Sequence, residues 1–253
     1  VDSIQGGTEA MIVLDKTPFY AESGGQVGDV GQIRLNDAYF IVTDTQKIKN
    51  DVYGHVGILE NGEMRVGDKT VASVDAEVRQ ATVRNHSATH LLHAMLRKTL
   101  GSHVAQRGSL VASDRLRFDF SHSAPMTLPE IREVETAVNR TILENLEVNA
   151  AYSSYDDALK AGVTALFGEK YGDVVRTIRM GEVSAELCGG THVRRTGDIG
   201  FFKILSETGV AAGVRRIEAV TGLNALEAVR HQEDLLNQVS GALKVRPAEV
   251  LGR

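Results

Sequence analysis

An α+β fold is predicted: a small, glycine-rich antiparallel β-barrel over residues 1–75, an antiparallel sheet packed with helices over 76–222, and a helix from 223 towards the end at 253. Three observations carry the prediction. Short apolar runs dotted with glycine fill the first 75 residues. At Ala76 the hydrophobic period lengthens to that of a helix, and strand-like and helix-like segments then succeed one another as far as Thr221-Gly222.

The runs at 11–14, 31–35, 39–43, 54–60 and 70–74 have strand length and read as the barrel. Between the first two lies Ala21-Glu22-Ser23-Gly24-Gly25-Gln26-Val27-Gly28-Asp29, a glycine-rich loop without the Gly-Lys-Ser/Thr ending of a P-loop, so nucleoside triphosphate binding is not indicated. From Ala76 to a stop at Gly101, residues Val83, Leu91, Leu92, Met95 and Leu96 recur at helical spacing. Residues 106–112 and 116–121 alternate across a turn at Ser113-Asp114 and predict a hairpin. Thr127-Leu128-Pro129-Glu130 combines a capping box with a first-turn proline, and Ile131, Val134, Val138 and Ile142 mark the buried stripe of the helix it opens. Strands are expected at 147–153, 174–179, 201–207 and 215–221, with a short helix near 156–161. Beyond Gly222 a last stripe, Leu223, Leu226, Val229, Leu235 and Leu236, is helical.

The composition, 42% hydrophobic and 24% charged, is that of a soluble globular protein, and no segment approaches a membrane span. Val1-Asp2-Ser3-Ile4 carries neither a starting methionine nor a signal-peptide pattern, so the chain is expected to be an excised piece of a longer protein. A single cysteine excludes an internal disulfide and, with eight histidines, fits a reducing cytosol. The formal net charge of -5 rules out a general polycation; a nucleic-acid partner must be held by local patches. Candidates are Arg194-Arg195, Lys203 and Arg215-Arg216. Surface arginine pairs are more often solvated than bound to phosphate, and these gain weight by following the motif below.

Two motifs carry the chemistry. His86-Ser87-Ala88-Thr89-His90 lies in the first helix, where residues four apart share a face and both rings can reach one ion. Cys188-Gly189-Gly190-Thr191-His192 lies in a loop whose glycines allow a tight turn that folds His192 back towards the Cys188 sulfur. Each half alone could be ordinary structure, polar helix positions and an inert core cysteine. Together the three imidazoles and one thiolate form a donor set suited to zinc, with His93 as a rival ligand one turn on. The helical motif lacks the glutamate of H-E-x-x-H peptidases, and the spacing matches no zinc finger.

His86 to His93, reading His-Ser-Ala-Thr-His-Leu-Leu-His, and Glu186 to His192, reading Glu-Leu-Cys-Gly-Gly-Thr-His, resemble the editing domain of the alanyl-tRNA synthetase family. So do Phe19 to Gln26 and Thr196 to Gly200, so that the likeness covers nearly the whole chain. The resemblance implies a hydrolase that clears Ser-tRNA(Ala) and Gly-tRNA(Ala), because a hydrophobic alanine pocket rejects an added hydroxyl by only about a hundredfold and a smaller amino acid simply fits. It implies one zinc per chain on His86, His90, Cys188 and His192, with Thr89 and Gln106 in hydroxyl recognition and water placement. It also implies that backbone at Gly24 and Gly25 approaches the tRNA acceptor end, and that aminoacylation and C-terminal domains belong to a cytoplasmic parent chain. Read without the resemblance, Thr89 would bond back to its own helix, Gln106 would face solvent, and the glycines would make a hairpin turn.

Four protein ligands would fill a tetrahedral zinc. Either one ligand is loose or absent, or the ion expands to five-coordinate, or it only shapes a pocket in which water is guided by Gln106, Thr89 and the tRNA's terminal hydroxyl. The competing functions are a passive tRNA-binding module, a metal-dependent hydrolase of small molecules, and a free-standing editing factor acting in trans.

Overall fold

The computed structural model describes residues 1–49, 52–165 and 171–252. The first 75 residues supply Ser3–Gln5 (β1), Thr8–Val13 (β2), Gly31–Leu35 (β3), Ala38–Lys49 (β4), Val52–Asn61 (β5), Glu63–Arg65 (β6) and Val71–Val74 (β7). Five of them form an antiparallel sheet in the order β2-β5-β4-β3-β7, and β1 pairs with β6. Along β4, Ala38, Phe40 and Val42 point inward while Tyr39, Ile41 and Thr43 point out, the alternation of a sheet with one covered face. Phe40, Val42, Ile33 and Leu59 meet Phe19 and Met64 in a core of their own.

Among the described residues no ladder joins β2 to β7, so of the small antiparallel barrel that the sequence predicts an open five-stranded antiparallel sheet is seen. The chain between β2 and β3 contains Pro18 and the left-handed Gly24 and Gly25 and cannot run as a regular strand. Its amides find scattered partners instead, Glu22 N–H on the Thr45 carbonyl and Asp29 N–H on that of Tyr20.

The rest comprises Ala76–Leu100 (α1), Gln106–Val111 (β8), Leu116–Ser121 (β9), Leu128–Leu143 (α2), Val148–Ser154 (β10), Tyr155–Lys160 (α3), Val174–Met180 (β11), Ser184–Leu187 (β12), Phe202–Ala211 (β13), Val214–Thr221 (β14) and Gly222–Leu243 (α4). Two antiparallel sheets result, β13-β14-β9-β8 and β10-β11-β12. α1 starts where Asp75 accepts the Glu77 and Val78 amides and stops at Gly101, whose φ is 118°. Ala88, Leu91, Leu92 and Leu96 of α1 share one core with Phe118, Phe120, Phe202 and Ile217 of the four-stranded sheet and Val134 and Val138 of α2. α4 leaves Leu235, Leu236 and Val239 exposed, and no helix among the described residues is long and apolar enough to cross a membrane.

The two cores are joined by polar contacts. Asp29, 4% exposed, is held by Arg79 of α1, whose Nε donates to its Oδ1 at 2.6 Å, and it also accepts the Tyr20 amide. The glycine turn is stitched to β8 by Val27 N–H on the Val111 carbonyl and Val111 N–H on that of Gly25.

The capping box of α2 forms as predicted: Glu130 N–H donates to Thr127 Oγ1 at 3.4 Å and the Glu130 carboxylate accepts the Thr127 amide at 2.7 Å. Thr127→Ala is expected to destabilise the protein by about 1 kcal/mol. Urea unfolding checks this as a lower midpoint at unchanged slope.

Candidate metal centre

α1 sets His86 and His90 one turn apart, their rings stacked with centroids 5.3 Å apart. The other half comes from the loop after β12, which bends at Gly190 and brings His192 back against Cys188. The ligand atoms of His86, His90, Cys188 and His192 all lie within 4.8 Å of one another. Cys188 Sγ stands 3.2 Å from His192 Nε2 and 3.4 Å from His86 Nε2, separations that suit two ligands of one ion better than a packing contact. Arg176 of β11 pins the loop by donating to the Cys188 and Gly190 carbonyls at 2.9 and 2.7 Å. A side chain at Gly190 would run into the His86 ring and come within 2.8 Å of Gln26 Oε1, so glycine is required here for space.

Each imidazole is held through Nδ1. That of His86 meets Gln26 Oε1 at 2.7 Å, that of His90 meets Glu186 Oε2 at 2.6 Å, and that of His192 lies 3.2 Å from Ser87 Oγ. A carboxylate oxygen and an amide oxygen can only accept, so His86 and His90 carry a proton on Nδ1, which leaves Nε2 as the atom a metal would take. Among the described residues the buried Nε2 atoms of His90 and His93 have no hydrogen-bond partner, and only that of His90 lies within the four-donor group. Three imidazole nitrogens and a thiolate fit zinc. His93 stands outside this group; its Nδ1 bonds the other Glu186 oxygen at 2.8 Å, so the rival ligand shares the supporting carboxylate instead.

The electrostatics match. Burial opposes charge on Glu186, yet the histidines His90 and His93 outweigh it and hold the carboxyl far below its ordinary range. Burial likewise opposes charge on His90, but Glu186 and Cys188 push its pKa up to about 10. The Cys188 thiol is lowered well below its usual value because His86 and His90 overcome burial, while burial and then the charge of His86 bring His192 down to about 3. A site that stabilises a thiolate and a carboxylate this deep in the fold favours a cation beside them.

Above the cluster opens a cavity of about 430 Å³, walled on one side by Tyr20, Ser23, Gly24 and Lys47 of the first unit and on the other by Thr89, Gln106, Ser109, Val174, Val175 and Arg176. Both predicted polar residues therefore face it. Thr89 also bonds back to its helix, its hydroxyl donating to the Asn85 carbonyl at 2.9 Å, and Gln106 Nε2 donates to Ser109 Oγ at 3.3 Å. Gly24 lines the cavity; Gly25 lies against β8, where a Cβ would come 2.6 Å from the Ser109 carbonyl oxygen.

The predicted cations do not line this cavity. Arg194 is exposed; Arg195 reaches Glu147 at 3.3 Å, Lys203 bonds Glu135 at 2.9 Å, Arg215 bonds Glu207 at 2.5 Å and Arg216 grips Asp119 at 2.7 and 2.8 Å. The cations that do line it, Lys47 and Arg176, lie singly in strands and gave no cluster to notice.

Residues 175–218 match the family described as threonyl and alanyl tRNA synthetase second additional domain, and residues 1–78 match tRNA synthetases class II (A). Among curated proteins, the alanine-tRNA ligase of Acidovorax sp. (strain JS42) is 57% identical over 251 residues, covering 99% of this chain and 29% of that protein. That of Halorhodospira halophila (strain DSM 244 / SL1) is 58% identical over 98% of this chain, and that of Bordetella pertussis (strain Tohama I / ATCC BAA-589 / NCTC 13251) 58% identical over 99%. The chain spans 28% of the length of each of these two relatives.

Proposed function

The chain belongs to the alanyl-tRNA synthetase family, and from that premise we propose that it hydrolyses tRNA(Ala) mischarged with serine or glycine and spares Ala-tRNA(Ala). The observation that carries the reading is one cavity lined by Thr89, Gln106 and three of the four donors of the metal site, His86, His90 and Cys188.

Zinc held by His86, His90, Cys188 and His192 would supply a fixed positive charge beside the cavity and tie the two halves of the site together. Four converging protein donors favour the version in which the ion shapes the pocket while side chains place substrate and water. The Thr89 hydroxyl donates its hydrogen bond to the Asn85 carbonyl, so its oxygen is left to accept one from a seryl hydroxyl. Alanine has no hydroxyl to offer. Gln106, with its amide nitrogen turned to Ser109, keeps its carbonyl oxygen to orient a water. Water adds to the ester carbonyl, the bond to the ribose oxygen breaks, and that oxygen leaves with a proton drawn from the water. Lys47 and Arg176 supply positive charge beside the cavity for the acceptor end, and Arg194 is exposed and open to a phosphate. Arg195, Lys203, Arg215 and Arg216 would have to exchange carboxylate for phosphate before contributing.

Deacylation assays with Ser-, Gly- and Ala-tRNA(Ala) test the reading. The wild-type chain should clear the first two and leave the third. Thr89→Val should slow seryl hydrolysis about tenfold, the value of one hydrogen bond to the substrate, and leave glycyl hydrolysis nearly unchanged. Hydrolysis of none of the three, with tRNA binding intact, would make this a binding module; turnover of small esters without tRNA would make it a hydrolase of small molecules.

A further inference from the structure

The glycine-rich turn of the first unit does more than edge the cavity. Gln26 closes it, with Ser23 and Gln26 exchanging backbone bonds at 3.2 and 3.0 Å, and its side chain is fully buried. That side chain points away from its own sheet. Gln26 Oε1 accepts from His86 Nδ1 at 2.7 Å and from the Thr191 amide at 2.9 Å, while Gln26 Nε2 donates to Thr191 Oγ1 at 2.8 Å. One carboxamide thus holds a ligand from α1 and the loop that carries the other two-ligand half. Gly190 leaves the space through which it reaches both.

We propose that Gln26 is a positioning residue of the metal centre: it fixes His86 as the Nδ1–H tautomer with Nε2 turned to the ion and clamps the Cys188–His192 loop, so that the centre is complete only with the N-terminal β unit in place. The inference rests on the metal reading above and deepens it. Two features make glutamine the fitting residue. Its oxygen can only accept, which forbids the other His86 tautomer, and its nitrogen can only donate, which sets the direction of the Thr191 hydroxyl. Val111 and Gly25 lock the turn itself to β8, so the carboxamide is presented from a fixed backbone.

The test uses the whole chain with zinc and with cobalt(II), whose visible bands report ligand geometry. Zinc affinity is read by competition with a chromogenic chelator. Gln26→Leu, of similar size but without polar atoms, should bind zinc about 10- to 100-fold more weakly and show altered cobalt d–d bands. Gln26→Glu keeps an oxygen for His86 and for the Thr191 amide, and should stay close to wild type in both readouts. The proposal is overturned if Gln26→Leu retains wild-type affinity and spectrum, or if Gln26→Glu is as impaired as Gln26→Leu while both keep the wild-type circular dichroism. A wild-type chain that takes up neither zinc nor cobalt overturns the metal reading itself, a pattern distinct from either.

Discussion

Cys188→Ala is expected to abolish stoichiometric zinc, with affinity falling by more than the ~10–100-fold typical of losing a residue that merely supports a ligand. Cys188 provides the only sulfur donor of the cluster, and its thiol is held well below its usual pKa beside His86 and His90. Alanine would leave His86 and His192 facing each other across an empty corner. Because the chain has a single cysteine, the sulfur-to-cobalt charge-transfer band of the wild-type protein can come from nowhere else and should vanish. Thermal unfolding supplies an independent reading: a ligand present at a hundred times its Kd stabilises the native state by about 2.7 kcal/mol, so a strong chelator should lower the wild-type Tm and leave that of Cys188→Ala unmoved. One zinc per chain retained in the variant would remove the thiol from the site. Selective deacylation, if it depends on the shaped cavity, should be lost with the metal.

The parts of this site that could be read from sequence are those whose logic is local. The ends of α1 and α2 are written in Asp75, Gly101 and the Thr127-Glu130 capping box, whose partners lie within a turn. The four metal donors were legible because their residue types are few and because four residues is one helical turn on α1 and one glycine turn after Leu187. What holds those donors was not legible. Gln26, Glu186 and Ser87 are 60, 96 and 105 residues from the imidazoles they orient, and nothing in a polar residue announces a partner at that distance. The same blindness touched the arginines: Arg216 meets Asp119 from 97 residues away only because β14 lies beside β9. The open sheet has a related cause, since closing a barrel depends on whether its first and last strands meet, and no alternation pattern encodes that. β12 is only four residues long and follows Gly181 closely, yet it places Glu186 and leads directly into Cys188.

Glu186→Ala carries the largest expected cost to the fold itself, about 3–5 kcal/mol. The carboxylate is 6% exposed and holds two rings at once, His90 through one oxygen and His93 through the other. Removing it strands two buried nitrogens, each worth about 1–3 kcal/mol when left unpaired, and opens a hole between β12 and α1. Its effect on the metal should be separable from its effect on stability. His90 would lose the bond that points Nε2 at the ion, so zinc affinity should fall about 10- to 100-fold as well. His93→Leu makes the contrast: it removes the ring that packs on Phe118 and one of the two bonds to Glu186, but leaves the bond that orients His90. That variant should lose stability and keep most of its zinc affinity. Urea unfolding with and without chelator, paired with zinc competition, measures both quantities in each protein. If Glu186→Ala kept its affinity, His90 would need no carboxylate to face the metal; if His93→Leu lost as much, the carboxylate would be holding the fold alone and the site only through it.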